Sequence, residues 1–197
     1  MRIRIAAVQA LVILTLALPM GLVTAAHAGQ NRDKSRQRLG TSQNREARRV
    51  VTLTEEVRHQ LVSLPYYSVF DWLEAEIKSD GEVILKGQVV ESTLKSAAES
   101  RVKELEAATR VVNNIEVMPV SSNDDQLRRA LYRSIYNYDS PLFKYALQSV
   151  PPIHIIVKNG HVQLKGLVLS PADSQLANTA ARQVSGVFDV QNILQVE

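Results

Sequence analysis

Apolar and polar residues alternate along this chain in a pattern that occurs twice. From Ile153 to Val168 the sequence IHIIVKNGHVQLKGLV places two apolar runs around Asn159-Gly160. Asn-Gly between such runs is a strong hairpin signal, because a type I′ turn needs positive φ at both central residues. A two-residue turn there sets Val157 opposite Val162, Ile155 opposite Leu164 and Ile153 opposite Gly166. One face of the hairpin is therefore made for a core. His154, Ile156, Lys158, His161, Gln163 and Lys165 form a second, mostly polar face. The same element appears in LEAEIKSDGEVILKGQV, Leu73 to Val89. Here a three-residue loop, Ser79-Asp80-Gly81 with Gly81 left-handed, predicts Ile77 opposite Val83, Ala75 opposite Leu85 and Leu73 opposite Gly87. It also sets Lys78 against Glu82 and Glu74 against Lys86, opposite charges across the strands.

Helical periodicity surrounds each hairpin. Leu53, Val57, Leu61 and Leu64 make one apolar stripe, with Thr52 and Glu55 at capping-box spacing and Pro65 as the stop. Ser92 to Ala107 predicts a second helix with Leu94, Ala98, Val102 and Leu105 on one side, and Val111 to Val117 a last strand. The second unit repeats the order. Leu127, Leu131 and Ile135 form the first stripe, then comes an inserted SPLFKYALQSVPP, Ser140 to Pro152, then the hairpin. Ser170 caps the next helix with Pro171 at its first position and Asp173 at capping-box spacing; Leu176, Ala177, Ala180 and Val184 form its apolar side, and Gly186 ends it. Val190, Asn192, Leu194 and Val196 mark the last strand. Gly81 to Val117 aligns with Gly160 to Val196 without a gap, and Gly81, Val83, Leu85, Lys86, Gly87, Val89, Ala98, Val111, Asn113 and Val117 are identical to their counterparts. The expected fold is α+β: two tandem αββαβ units, each a three-stranded sheet packed against two helices. Units of this size are near the lower limit for independent stability, which favours docking of one on the other.

The predicted organisation is a signal peptide over 1–28, a disordered basic arm over 29–50, a first unit over 51–118, a linker over 119–125 and a second unit over 126–197. Arg2 and Arg4 precede an apolar run from Ala6 to Leu18, and Ala26-His27-Ala28 has the form of a cleavage site. No other apolar segment reaches the roughly 20 residues of a span, so the processed protein is expected to be peripheral rather than transmembrane. Gln30 to Val50 holds Arg32, Lys34, Arg36, Arg38, Arg45, Arg48 and Arg49 against Asp33 and Glu46. It reads either as a solvated tether or as an electrostatic contact to anionic headgroups. The net charge of +3 resides in this arm and the signal; residues 51–118 carry seven basic and twelve acidic side chains, and 119–197 seven and six. The folded body therefore gives no argument for nucleic acid. The absence of cysteine removes disulfides, thiolate catalysis and a Cys-linked lipid anchor.

The motifs NGHVQLKGLV with VFDVQNILQV, and DGEVILKGQV with VVNNIEV, resemble the BON domain family, over about residues 53 to 197. The resemblance implies a periplasmic, non-enzymatic module without cofactors that contacts phospholipid or other envelope surfaces, in envelope maintenance or osmotic stress. A protein-binding scaffold or oligomerisation module in the envelope is the alternative.

Candidate chemistry is sparse. His59, His154 and His161 are expected at the surface; lysines oppose the last two, which disfavours a metal site. Asn113 and Asn192 fall on the apolar side of their strands and need partners, with a nearby backbone group as the expected one. Gly87 and Gly166 imply close packing of the last strand or a helix over a missing side chain, or a bulge. Gly81, Gly87, Asn159, Gly160 and Gly166 are thus structural positions. The first helix of unit two and the insertion carry Arg128, Arg129, Tyr132, Arg133, Tyr136 and Lys144, a set suited to anionic headgroups at a membrane boundary. The competing reading is that their aromatic members complete the core or the contact between units.

Overall fold

The computed structural model describes residues 2–4 and 29–197, with side chains from residue 44 onward. The expected signal segment otherwise lies outside the described residues. In chain order the elements are β1 (Arg2–Arg4), α1 (Gly29–Val62), β2 (Trp72–Ile77), β3 (Glu82–Val89), α2 (Ser92–Lys103), β4 (Arg110–Val117), α3 (Ser122–Ile135), α4 (Phe143–Ala146), β5 (Ile153–Lys158), β6 (His161–Val168), α5 (Pro171–Arg182) and β7 (Asp189–Val196).

Two sheets result, β1-β2-β3-β4 and β5-β6-β7. Each hairpin is antiparallel, and the third strand of each repeat joins parallel to the second. A parallel partner needs a crossover, and α2 and α5 supply it. β1 adds an edge strand to the first sheet, beside β2. Both hairpins adopt the register expected from their apolar pairs, Ile77 with Val83 and Val157 with Val162 among them. Asn159 and Gly160 have φ of 52° and 78°, as a type I′ turn requires, and Gly81 has φ 86°. The inward faces close on the helices. Leu53, Val57 and Leu61 of α1 meet Leu85 and Val102 in one core; Leu131 and Ile135 of α3 meet Ile155, Leu164 and Ala177 in the other.

Three features depart from the sequence expectation. The stretch over 29–50, expected as a disordered arm, is the first part of the 34-residue α1. It contains no proline and many good helix formers. The packed stripe from Leu53 supplies the nucleus, so extension towards the N-terminus needs only propagation. The expected linker contains the start of α3, where the Ser121 hydroxyl accepts from the Asp124 N–H. α2 stops at Lys103, short of the expected Ala107.

The glycine positions have a different cause from the one expected. A Cβ on Gly87 would lie 1.9 Å from the carbonyl oxygen of Trp72, and one on Gly166 1.8 Å from that of Pro152. The chain entering the first strand of the hairpin, not the last strand or a helix, excludes a side chain there. Asn113 and Asn192 do bond to backbone as expected. Their Nδ2 groups donate to the carbonyls of Lys95 at 3.0 Å and Ser174 at 3.1 Å, tying β4 to α2 and β7 to α5. Neither is buried: Asn113 is partly covered and Asn192 exposed.

The two units dock through the faces of their sheets that point away from their own helices. Trp72, Met118 and Ile156 are buried together, with Val90 against them. Lys165 donates to Gln88 at 2.9 Å, and Lys158 pairs with Glu116. Val69, from the segment before β2, sits in the second core, and its carbonyl accepts from Ile155 N–H at 2.8 Å.

Candidate functional site

The turn end of the second unit is built by one carboxylate. Asp124 lies in the first turn of α3 and is 2% exposed. Its Oδ2 accepts from Asn159 N–H at 2.8 Å and its Oδ1 from Gly160 N–H at 2.9 Å. Both turn amides are thus satisfied by a charged acceptor, which pins the hairpin tip to the helix start. A groove of about 890 Å³ opens beside this junction, between α3, the turn and the loop from α5 to β7. Leu127 lines it, and Gly186 stands across from Leu127, so close that a Cβ there would come within 3.3 Å of a leucine methyl. Phe188 lines the rim with its ring 76% exposed.

Arg129 and Arg133 line the same groove, four residues apart on the exposed side of α3. The Arg133 Nε donates to the Arg129 carbonyl at 3.2 Å. Among the described residues neither guanidinium pairs with a carboxylate. Two cations beside an exposed aromatic ring can bind a phosphate or carboxylate through charge-assisted bonds while the ring covers an apolar neighbour. The first unit has a groove at the equivalent place beside Gly81. It holds about 180 Å³ and is lined by Glu46, Arg49 and Asp80. Acidic groups and the continuation of α1 occupy what the second unit leaves open and basic.

The other expected lipid-facing residues serve the interior. Arg128 is 3% exposed; it donates to Asp125 at 2.5 Å and to the Val157 carbonyl at 2.7 Å, which ties α3 to β5. Tyr136 is 5% exposed, and its hydroxyl donates to the Ile153 carbonyl at 2.7 Å. Burial pushes its phenol well above the usual range. Tyr132 is partly buried between Phe70 and Tyr136. Helical spacing put these residues on one helix, and the helix presents them to opposite sides. The insertion also turns inward. Leu142 and Tyr145 are buried in the second core, and Tyr145 and Lys144 donate to Asp173 at 2.8 and 3.0 Å. Burial works to raise the Asp173 carboxyl, but its bonds from Lys144, Tyr145 and Ser170 outweigh that and hold it below the usual carboxylate range.

Sequence reasoning missed three residues here. Asp124 stands three residues after Ser121, a capping spacing that could have been noticed. Phe188 had a weaker signal, an aromatic beside a predicted helix end. His154, expected at the surface, is 3% exposed between the two units; the apolar Ile156 beside it on the supposedly polar face was the only hint. No group of histidine and carboxylate side chains able to hold a metal occurs among the described residues. No described helix is long and apolar enough to cross a membrane.

Comparison with known proteins agrees with the repeat. The profile described as "BON domain" matches residues 49–119 and again residues 123–197. No curated protein matches. Among solved structures, the C-terminal domain of CdsD, a structural protein of the type III secretion system of Chlamydia trachomatis, is 12% identical, with 73% of this chain and 96% of that chain covered and a TM-score of 0.27. A second structure of CdsD is 14% identical, with 74% and 93% covered and a TM-score of 0.28.

Proposed function

The chain belongs to the BON domain family, as two tandem domains, and on that premise we propose that it is an exported, non-enzymatic envelope protein that holds anionic phospholipid headgroups at the turn end of its second domain. The observation that carries this reading is the pair Arg129 and Arg133, both exposed and, among the described residues, without carboxylate partners, beside the exposed Phe188 in one open groove. Arginine matches phosphate geometry, and an aromatic ring suits the membrane boundary. The basic stretch of α1 over 29–50 supplies a second, weaker attraction, at about 1 kcal/mol per basic residue close to an anionic surface. The export signal read in residues 1–28 supports a periplasmic location.

Such binding is peripheral, reversible and weakened by salt, because exposed charges are screened over about 8 Å at physiological ionic strength. The test is flotation of the processed protein with vesicles of zwitterionic lipid alone and with added anionic lipid. Flotation is expected only with anionic lipid at low salt, reduced on deleting residues 30–50 and abolished by Arg129→Glu with Arg133→Glu. Absence of flotation at low salt, or flotation indifferent to the double substitution, overturns the reading and leaves the protein-binding scaffold.

A further inference from the structure

We infer that His154 is an acid-sensitive latch between the two domains: neutral, it holds the sheet of the second against the first, and its protonation weakens that contact. The ring belongs to β5 of the second domain but is covered by the first. It packs edge-on to Trp72 at 5.1 Å between centroids and against Tyr67 at 5.6 Å. Its Nδ1 lies 2.6 Å from the carbonyl oxygen of Asp71. A carbonyl can only accept, so Nδ1 carries the proton. The neutral ring then satisfies the Asp71 carbonyl and adds no charge to an apolar contact of Trp72, Met118 and Ile156.

A second proton would place a cation in that contact. Desolvation lowers the His154 pKa from 6.5 to about 4; the carbonyls of Asp71 and Ser68 favour the charged form but do not outweigh burial. The surrounding titratable groups are Asp71 and the neutral phenol of Tyr67 from the segment before β2, Glu74, which accepts from the Trp72 indole, Lys165 directly across the hairpin on β6, Arg128 on α3, which acts on Asp71, and the Lys158–Glu116 pair that bridges the domains. Three of these, Lys165, Arg128 and Lys158, are cations, and Arg128 and Lys158 are paired with Asp125 and Glu116. Burial raises the Asp71 carboxyl, which by itself would favour the folded form in acid. Its carboxylate accepts from Ser68 and Val90 of its own domain, and Arg128 of the second domain favours its ionised form, an attraction between the domains that is lost in acid.

Docking weakens in acid because burial holds the imidazole neutral. A histidine whose pKa is lowered on docking contributes fully above its free value of 6.5, and the contribution is lost as pH falls from there to about 4. Across that window the ratio of docked to undocked chains falls by up to about 300-fold, since a pKa lower by one corresponds to a factor of ten in that ratio. In their buried residues the two cores are separate except for Val69 of the first domain, which sits in the second core, so opening withdraws Val69 and its bond from Ile155 N–H together with the His154 contact.

The absence of cysteine allows clean labelling. Spin labels at Ser96→Cys on α2 and Gln175→Cys on α5, both exposed positions, report the separation of the domains by pulsed electron resonance. A single distance, across both sheets, is expected at pH 7.5. A second, longer population should grow below about pH 6 while far-ultraviolet circular dichroism is unchanged. His154→Gln should stay closed at pH 4.5, and His161→Gln should behave as the parent. A parent that stays closed at pH 4.5, or a His154→Gln protein that opens as the parent does, overturns the inference. Proton resonances of the unaltered protein give a check that does not depend on the variant folding. A His154 midpoint at or above 6.5 refutes the latch, and one well below 6 supports it.

Discussion

At the scale of single residues, backbone geometry exerts the largest demands. Gly160 needs positive φ, and a Cβ there would also come within 2.7 Å of the Phe188 ring. Gly160→Val is therefore expected to cost about 3 kcal/mol, far more than Lys158→Ala, which removes one exposed ion pair. Equal thermal midpoints for the two variants would contradict the type I′ turn. Asp124 makes a related demand. Removing its carboxylate in Asp124→Ala leaves the Asn159 and Gly160 amides without their acceptor. The loss is expected to be about 2 kcal/mol, read as a lower denaturant midpoint with an unchanged slope.

At the scale of elements, the insertion and α1 changed most between expectation and structure. From its sequence the insertion reads either as part of a membrane-boundary surface or as a segment whose aromatic side chains complete the core. It is a plug: Leu142 is fully buried, while Leu147 is 75% exposed. Leu142→Ala is expected to cost about 2 to 5 kcal/mol and Leu147→Ala less than about 0.5. Thermal denaturation of both variants decides between plug and membrane-facing surface, since comparable losses would contradict the inward packing. In α1 the basic residues lie on a helix continuous with the packed stripe. On the proposed function they would meet an anionic surface as one semi-rigid rod rather than as independent charges on a coil.

At the scale of the whole molecule, the outward faces of two small sheets meet and bury Trp72, Met118 and Ile156. Domains this small gain from sharing apolar surface. Ile156→Glu would place a carboxylate in that contact without entering either domain core. The radius of gyration from solution scattering should rise while secondary structure content stays the same. An unchanged radius would show that the contact is not what holds the domains together.

The repeat, both hairpin registers, the helix stripes, the Ser170 cap and the amide ties of Asn113 and Asn192 were legible in the sequence. Each is decided by neighbours close along the chain or by a period of 2 or 3.6, which a single sequence displays. The candidate site was legible only in part. Helical spacing marks Arg128, Arg129 and Arg133 as near neighbours, but which of them face solvent depends on where β5 and the α5–β7 loop lie. Tertiary structure buried Arg128 and Tyr136, left Arg129 and Arg133 in the groove, and brought Phe188 to them. It also turned His154 from a surface residue on a polar face into the centre of the domain contact. Local pattern determines which face of an element is apolar, whereas burial of a mixed face depends on a partner more than eighty residues away, Asp71 for His154, and no periodicity encodes that meeting.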